Sequence, residues 1–144
     1  MGQQQLLLLV LGIVIVGLAV VVGIQAFGEN QKKANADAMV NDAVRIASDA
    51  QAFSLKPAAF GGGALNSATF TKLGYTASGS GNSAVYTNLN TTTDAGNGYT
   101  MAASGKGVLI TGTSPNNVVH ARVCGTTPSD ITTVVNGTAP AACA

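Results

Sequence analysis

Residues 6–24 read LLLLVLGIVIVGLAVVVGI, nineteen consecutive Leu, Ile, Val, Gly and Ala side chains, and the reading of the whole chain turns on them. Fifteen of the nineteen are Leu, Ile or Val, and no charged side chain occurs anywhere in residues 1–28. A helix of this length measures about 28 Å at ~1.5 Å per residue, close to the hydrocarbon thickness of a bilayer. Each Leu, Ile or Val near its middle contributes roughly −0.3 to −0.6 kcal/mol on an insertion scale, a total on the order of −5 kcal/mol. The segment therefore belongs in lipid or in an equally dry protein environment. A cleavable secretory signal needs a basic start, a shorter apolar stretch and a small-residue cleavage site. Here Met1-Gly2-Gln3-Gln4-Gln5 carries no Lys or Arg and the apolar stretch is long, so the segment reads as retained.

Beyond residue 28 the composition turns polar, yet the helical pattern persists. Ala36, Met39, Ala43, Ile46, Ala50 and Phe53 recur at intervals of three and four, with Val40 and Ala47 beside them, and form an apolar stripe on one helix face. Asn41, Arg45, Ser48 and Asp49 lie off the stripe. Glu29 and Lys33 stand four apart in the favourable order, and Arg45 and Asp49 in the weaker one. The breaker is Lys56-Pro57, with Gly61-Gly62-Gly63 soon after. The pattern predicts one helix from near Gln3 to about Leu55, roughly 75–80 Å long at ~1.5 Å per residue.

The remaining residues, 57–144, are rich in Gly, Ser, Thr and Asn. Segments 84–89, 98–103, 108–111 and 118–124 have strand propensity and are separated by turn residues. Ser104-Gly105-Lys106-Gly107 reads as a hairpin turn, and Ser114-Pro115-Asn116-Asn117 as the turn before the last strand. A small antiparallel sheet needs an apolar cover, and the stripe from Met39 to Phe53 is the natural one. The fold class expected is α+β, a long N-terminal helix packed on a small antiparallel sheet, with residues 58–83 as a connecting loop. Three segments follow: an apolar helix over 1–28, its amphipathic continuation over 29–56, and a β-rich head over 57–144.

Composition narrows the function. The chain has 144 residues, only 9% of them charged against roughly 25% in ordinary soluble domains, and a net charge of +1. A basic nucleic-acid binder and a multidomain enzyme are excluded on those grounds. One histidine and two cysteines supply metal or thiol chemistry poorly. Cys124 and Cys143 can form one disulfide, closing a loop worth roughly 3 kcal/mol in the chain-entropy model and requiring an oxidising compartment. The alternative is a metal held by both thiols and His120, which gives at most three ligands without a recognisable spacing.

His120, flanked by Val118, Val119 and Ala121, reads as a structural strand residue, and no nucleophile–base–acid arrangement is proposed. Asp94-Ala95-Gly96-Asn97-Gly98 offers one carboxylate to calcium and reads as a plain loop. Asn90-Thr91-Thr92 and Asn136-Gly137-Thr138 match the N-glycosylation acceptor pattern. Phe27, Phe53, Phe60 and Phe70 are too sparse for a conducting array and read as packing residues. No catalytic residue, cofactor site or metal site is expected.

A methionine start, glutamine at the fifth position, an uninterrupted apolar run, a continuing amphipathic helix, a sheet and a C-terminal cysteine loop together resemble the type IV pilins. The likeness covers the whole chain in architecture and about the first 55 residues in motif. It implies a homo-oligomeric helical filament whose core is the helix carrying Leu6, Leu9, Ile13, Val16, Val20 and Ile24, with Met1 and Gln5 setting register. It also implies a terminal loop closed by Cys124 and Cys143, no cofactor, assembly by a pilus machinery from the inner membrane, and an extracellular filament serving adhesion or motility.

The chain departs from the pattern twice. Gln5 stands where most members carry the glutamate that neutralises a neighbour's N-terminal amine, so that amine is expected to be solvated, modified or hydrogen-bonded by Gln3, Gln4 and Gln5. The family's helix-bending proline is absent, and glycines occur instead, each weakening a helix interior by about 1 kcal/mol relative to alanine. If the helix melts during assembly, the stretch from Gly17 to Gly23 is the expected site. Without an ordinary leader, the sequence is either already processed at Met1 or a leaderless member.

Lys32 and Lys33 follow the apolar run and no basic side chain precedes it, which by the positive-inside rule places the head in the cytoplasm. The cysteine pair and the resemblance favour export over that signal. Two other readings remain open: a pseudopilin of a type II-like secretion system, and a monomeric, membrane-anchored extracytoplasmic binding domain.

Overall fold

The structure, a computed structural model, describes residues 2–88, 91 and 97–144. Its first element, α1, spans Gly2–Leu55. By internal contacts the chain divides into two compact units, Met1–Ala34 and Asn35–Ala144. The second half of α1 thus belongs with the head.

In the unit Asn35–Ala144 the helix buries the expected stripe. Ala36, Met39, Ala43, Ile46, Ala47, Ala50 and Phe53 are all buried, whereas Arg45 and Ser48 on the other face are exposed. Four of these seven are alanines, so the helix axis can lie close to the sheet. The sheet is a five-stranded antiparallel meander in sequence order: β1 Val85–Tyr86, β2 Gly98–Ser104, β3 Gly107–Thr113, β4 Val118–Val123 and β5 Ile131–Val135. The register Met101↔Ile110, Ile110↔Ala121 and Val108↔Val123 aligns the apolar positions on one face. With Tyr99 and Val119 they meet α1 in a single core. The α+β architecture expected from periodicity is therefore the one adopted.

The ends of β2, β3 and β4 lie within two residues of the expected segments, and three larger differences occur. The first strand stops at Tyr86 because Asn88 turns the chain: its N–H donates to Thr91 Oγ1 and its carbonyl accepts the Thr91 N–H. Strand β5 lies outside the expected segments, although Ile-Thr-Thr-Val-Val is a β-branched run bounded by Pro128-Ser129-Asp130 and Asn136-Gly137. Residues 58–83 are not a plain loop. They hold three 3₁₀ turns and the four-residue helix α2, Phe70–Leu73, capped by the Thr69 side chain and closed at Gly74 with φ 85°. Leu65, Ala68 and Phe70 from this stretch are buried in the core.

The β2–β3 hairpin turns at Gly105-Lys106 with Ser104 paired to Gly107. Gly105 has φ 62°, the positive value that a type II′ turn demands at its first central position. A side chain there would also strike the Cys143 carbonyl at 1.9 Å, so the end of the chain runs against the hairpin tip.

Candidate functional site

The most distinctive chemical feature lies in the unit Met1–Ala34. Leu6, Leu9, Ile13, Val16, Val20 and Ile24, one face of α1, are 55–69% exposed. The side chains on the other faces, among them Val10, Leu11, Val14 and Ile15, are 50–57% exposed. In an isolated α-helix each side chain is shielded only by its own neighbours along the helix, so this is an apolar cylinder uncovered on every side. The helix is long and apolar enough to cross a membrane. Such a surface cannot stay in water, because each large side chain left exposed forgoes roughly 1.5–3 kcal/mol of burial.

At Gly12, Gly17, Gly23 and Gly28 a Cβ would meet nothing within 4 Å beyond the adjoining residues and backbone of its own helix, so the unit itself gives no reason for their small size. Gly17 and Gly23, the expected melting site, are helical. Gln5 is exposed on the first turns. Met1 and Asn90 lie outside the described residues, as do Asp94, Ala95 and Gly96.

The head carries a second organised feature, the joined cysteines. Cys124 and Cys143 form a disulfide with Cα atoms 5.4 Å apart, closing a span of 19 residues. Because Val119, Ala121 and Val123 face α1, the alternating His120, Arg122 and Cys124 face outward. Cys143 lies over Gly107, where a Cβ would stand only 2.5 Å from its sulfur. The segment after β5 therefore returns to the hairpin tip and ends on the outward face.

Gln51 ties the closed loop to the helix. It is a polar residue buried on the core side of α1, and its Nε2 donates to the carbonyls of Gly125 and Thr127, both at 2.8 Å. Sequence reading misses it, since a glutamine one residue from the stripe reads as surface. At the other end of the sheet, Ser114 Oγ and Asn117 Nδ2 both donate to Asn35 Oδ1. Asn136, the one described non-glycine residue with positive φ (51°), accepts the Val118 N–H on Oδ1 and donates through Nδ2 to Asn117 Oδ1. The amide nitrogen of this acceptor sequence is thus engaged within the fold.

Two tyrosines connect the core to acidic residues on α1. Tyr75 donates its hydroxyl to Asp49 Oδ2, and burial followed by that bond pushes its ionisation up to about 12. Tyr99, fully buried, donates to Asp42 Oδ2 at 3.2 Å. Burial first, then the Asp42 charge and hydrogen bond, hold its hydroxyl far above the ordinary range. Asp42 also accepts from Asn88 Nδ2 at 2.8 Å. Tyr75, Tyr86, Tyr99 and Phe70 pack as one aromatic cluster with centroids 5.0–6.1 Å apart. Asp130 is held below its usual range by the hydroxyl and backbone N–H of Thr127.

His120 shares a hydrogen bond with Thr111 Oγ1 at 3.1 Å on the outward face of the sheet. Both thiols are spent in the disulfide, so the three-ligand arrangement of Cys124, Cys143 and His120 does not form. Phe53 and Phe70 are core residues, but Phe27 and Phe60 are 66% and 80% exposed and stand outside the core. Comparison with known protein families, with curated proteins and with solved structures finds no match to this chain.

Proposed function

We propose that this chain is a structural subunit of an extracellular filament of the type IV pilin kind, polymerising through residues 6–24. The observation that carries the reading is the all-round exposure of the apolar cylinder. A helix docked on one partner would need one apolar face and could keep polar residues on the other. This one is apolar on every face, so it needs a surround: lipid before assembly and copies of itself afterwards. The exchange of lipid for helix contacts costs little because neither environment is wet, and small residues such as Gly12, Gly17 and Gly23 let neighbouring helices approach closely. The helix-on-sheet head and its disulfide are the parts expected of an exported, weakly charged subunit. No catalytic role is assigned to it.

The second reading is a membrane-anchored head that stays monomeric, favoured by one apolar helix of bilayer-spanning length among the described residues. Electron microscopy of sheared cell-surface material separates the two. Thin filaments containing this chain are expected, whereas recovery of the chain only in membranes supports the anchored monomer. Val14→Asp places a charge costing about 3 kcal/mol mid-helix. It abolishes filaments while leaving the unit Asn35–Ala144 folded, and a normal filament yield from it contradicts the reading.

A further inference from the structure

Three of the chain's seven basic side chains, Arg45, Lys56 and Lys72, converge on one groove of about 320 Å³ between the exposed face of α1 and the end of α2. Ala52, Phe53, Leu73, Gly74 and Tyr75 complete its lining with Asp49, its only carboxylate. That carboxylate already accepts the Tyr75 hydroxyl. Among the described residues, the side chains of Arg45 and Lys56 make no hydrogen bond or ion pair, and Arg45 acts on Tyr75 only through its charge. Elsewhere in the head Asp42 and Asp130 accept hydrogen bonds from the neutral donors Asn88, Tyr99 and Thr127. The groove thus gathers three cations around one carboxylate.

Three cations against the single Asp49 carboxylate leave the groove net positive, and the like charges repel one another unless a further anion joins them. Lys72 is also held in place: Nζ donates to the Ser67 carbonyl at 2.8 Å and stands 5.7 Å above the Phe53 ring. Two of its three N–H donors remain for a ligand.

We propose that this groove binds a carboxylated sugar, such as a uronic-acid unit of an acidic polysaccharide. Its volume lies at the lower end of the roughly 300–1,000 Å³ typical of small-ligand clefts, suiting one ring rather than an extended chain. Arg45 supplies the planar donor fork that matches a carboxylate, and Lys56 and Lys72 supply point charges around it. The carbon edges of Ala52 and Leu73, with the half-buried Tyr75 ring, give a sugar ring an apolar side that a bare phosphate would not use. The site involves none of residues 6–24 and stands whether or not the chain polymerises.

The test is a chemical-shift titration of the full-length, isotope-labelled protein in detergent micelles with galacturonate, trigalacturonate, galactose and inorganic phosphate. Galactose differs from galacturonate only at C6, where a hydroxymethyl group replaces the carboxylate. Galacturonate and its trimer are expected to shift Tyr75, Gly74 and Lys72 resonances saturably, more weakly at higher salt, with galactose at least tenfold weaker. Arg45→Gln combined with Lys56→Gln weakens galacturonate binding by about tenfold or more, as loss of charge-assisted bonds implies. Lys106→Gln, at the hairpin tip, leaves it unchanged. Both groove side chains are exposed and make no hydrogen bond or ion pair, so the double variant folds, as an unchanged remainder of the spectrum will show. The proposal is overturned if galactose binds as well as galacturonate, if the double variant binds normally, or if phosphate binds as tightly as the sugar acid. It is also overturned if the same resonances shift on raising protein concentration alone, which would assign the groove to a second copy of the chain.

Discussion

Gln51→Leu keeps the size of the side chain and removes both bonds that join α1 to the disulfide-closed loop. The Gly125 and Thr127 carbonyls, each 2.8 Å from Nε2, would lose their donor and face a hydrocarbon group. Each lost bond is worth ~0.5–1.5 kcal/mol net, and each carbonyl left without a partner costs ~1–3 kcal/mol if water cannot reach it. The carbonyls are partly buried, so water recovers some of that, and a loss of about 2–4 kcal/mol follows. Against a total stability of ~5–15 kcal/mol this is a large fraction. The assay is urea unfolding of the full chain in micelles, followed by tyrosine fluorescence. The chain has no tryptophan, and its three tyrosines, Tyr75, Tyr86 and Tyr99, all lie in the head, so the signal reports that unit alone. With a slope of ~1–3 kcal/mol per M, the midpoint falls by about 1–2 M. A shift below about 0.3 M at the same slope refutes the reasoning and means that the loop is held by the disulfide alone.

Other outcomes follow from the same structure. Cys143→Ser lowers stability by about 3 kcal/mol through loss of the 19-residue closure, and proteolysis after residue 136 becomes faster in the variant than in the oxidised parent. Gly112→Ala drives a methyl to within 2.6 Å of the Tyr99 ring and 3.2 Å of the Met39 terminal carbon, costing ~1–3 kcal/mol in urea midpoint measurements; an unchanged midpoint contradicts the packing. In the alkaline range the unfolded chain releases the Tyr75 and Tyr99 protons near pH 10 while the folded head keeps them, to about 12 for Tyr75 and higher for Tyr99. The stability they contribute is therefore complete below pH 10 and is lost as pH rises above it. Tyr75→Phe makes the fall between pH 10 and 12 shallower, as tyrosinate absorbance and unfolding curves together would show.

Much of the fold is legible in the sequence because two periodicities are strong. The three-and-four spacing from Ala36 to Phe53 marks the buried face of α1, and the turn residues Ser104-Gly105-Lys106-Gly107 before the β-branched stretch of β3 mark the central hairpin. What stays hidden depends on partners distant in sequence. Nothing near Gln51 reveals that carbonyls more than 70 residues away will face it. Asn88 ends β1 through a local bond to Thr91 and a distant one to Asp42, and only the first leaves a trace in the sequence. Phe70 reads as an isolated aromatic until Tyr75 and Tyr86 are brought against it, with Tyr99 behind Tyr86. Strand β5 is legible in principle, but its position inside the cysteine loop draws the reading toward irregular structure. The groove of Arg45, Lys56 and Lys72 joins residues from two elements and has no linear motif. The exposed cylinder, by contrast, is evident from residues 6–24 alone, because a helix apolar on every face looks the same in sequence and in space.

The most direct test of the central claim is a side-chain-resolution reconstruction of filaments sheared from cells expressing this chain. The account predicts that Leu6, Leu9, Ile13, Val16, Val20 and Ile24 each contact helices of other copies at ~4–4.5 Å, with no acyl-chain density between them. Cylinders wrapped in lipid, or turned toward solvent at the filament surface, would contradict it.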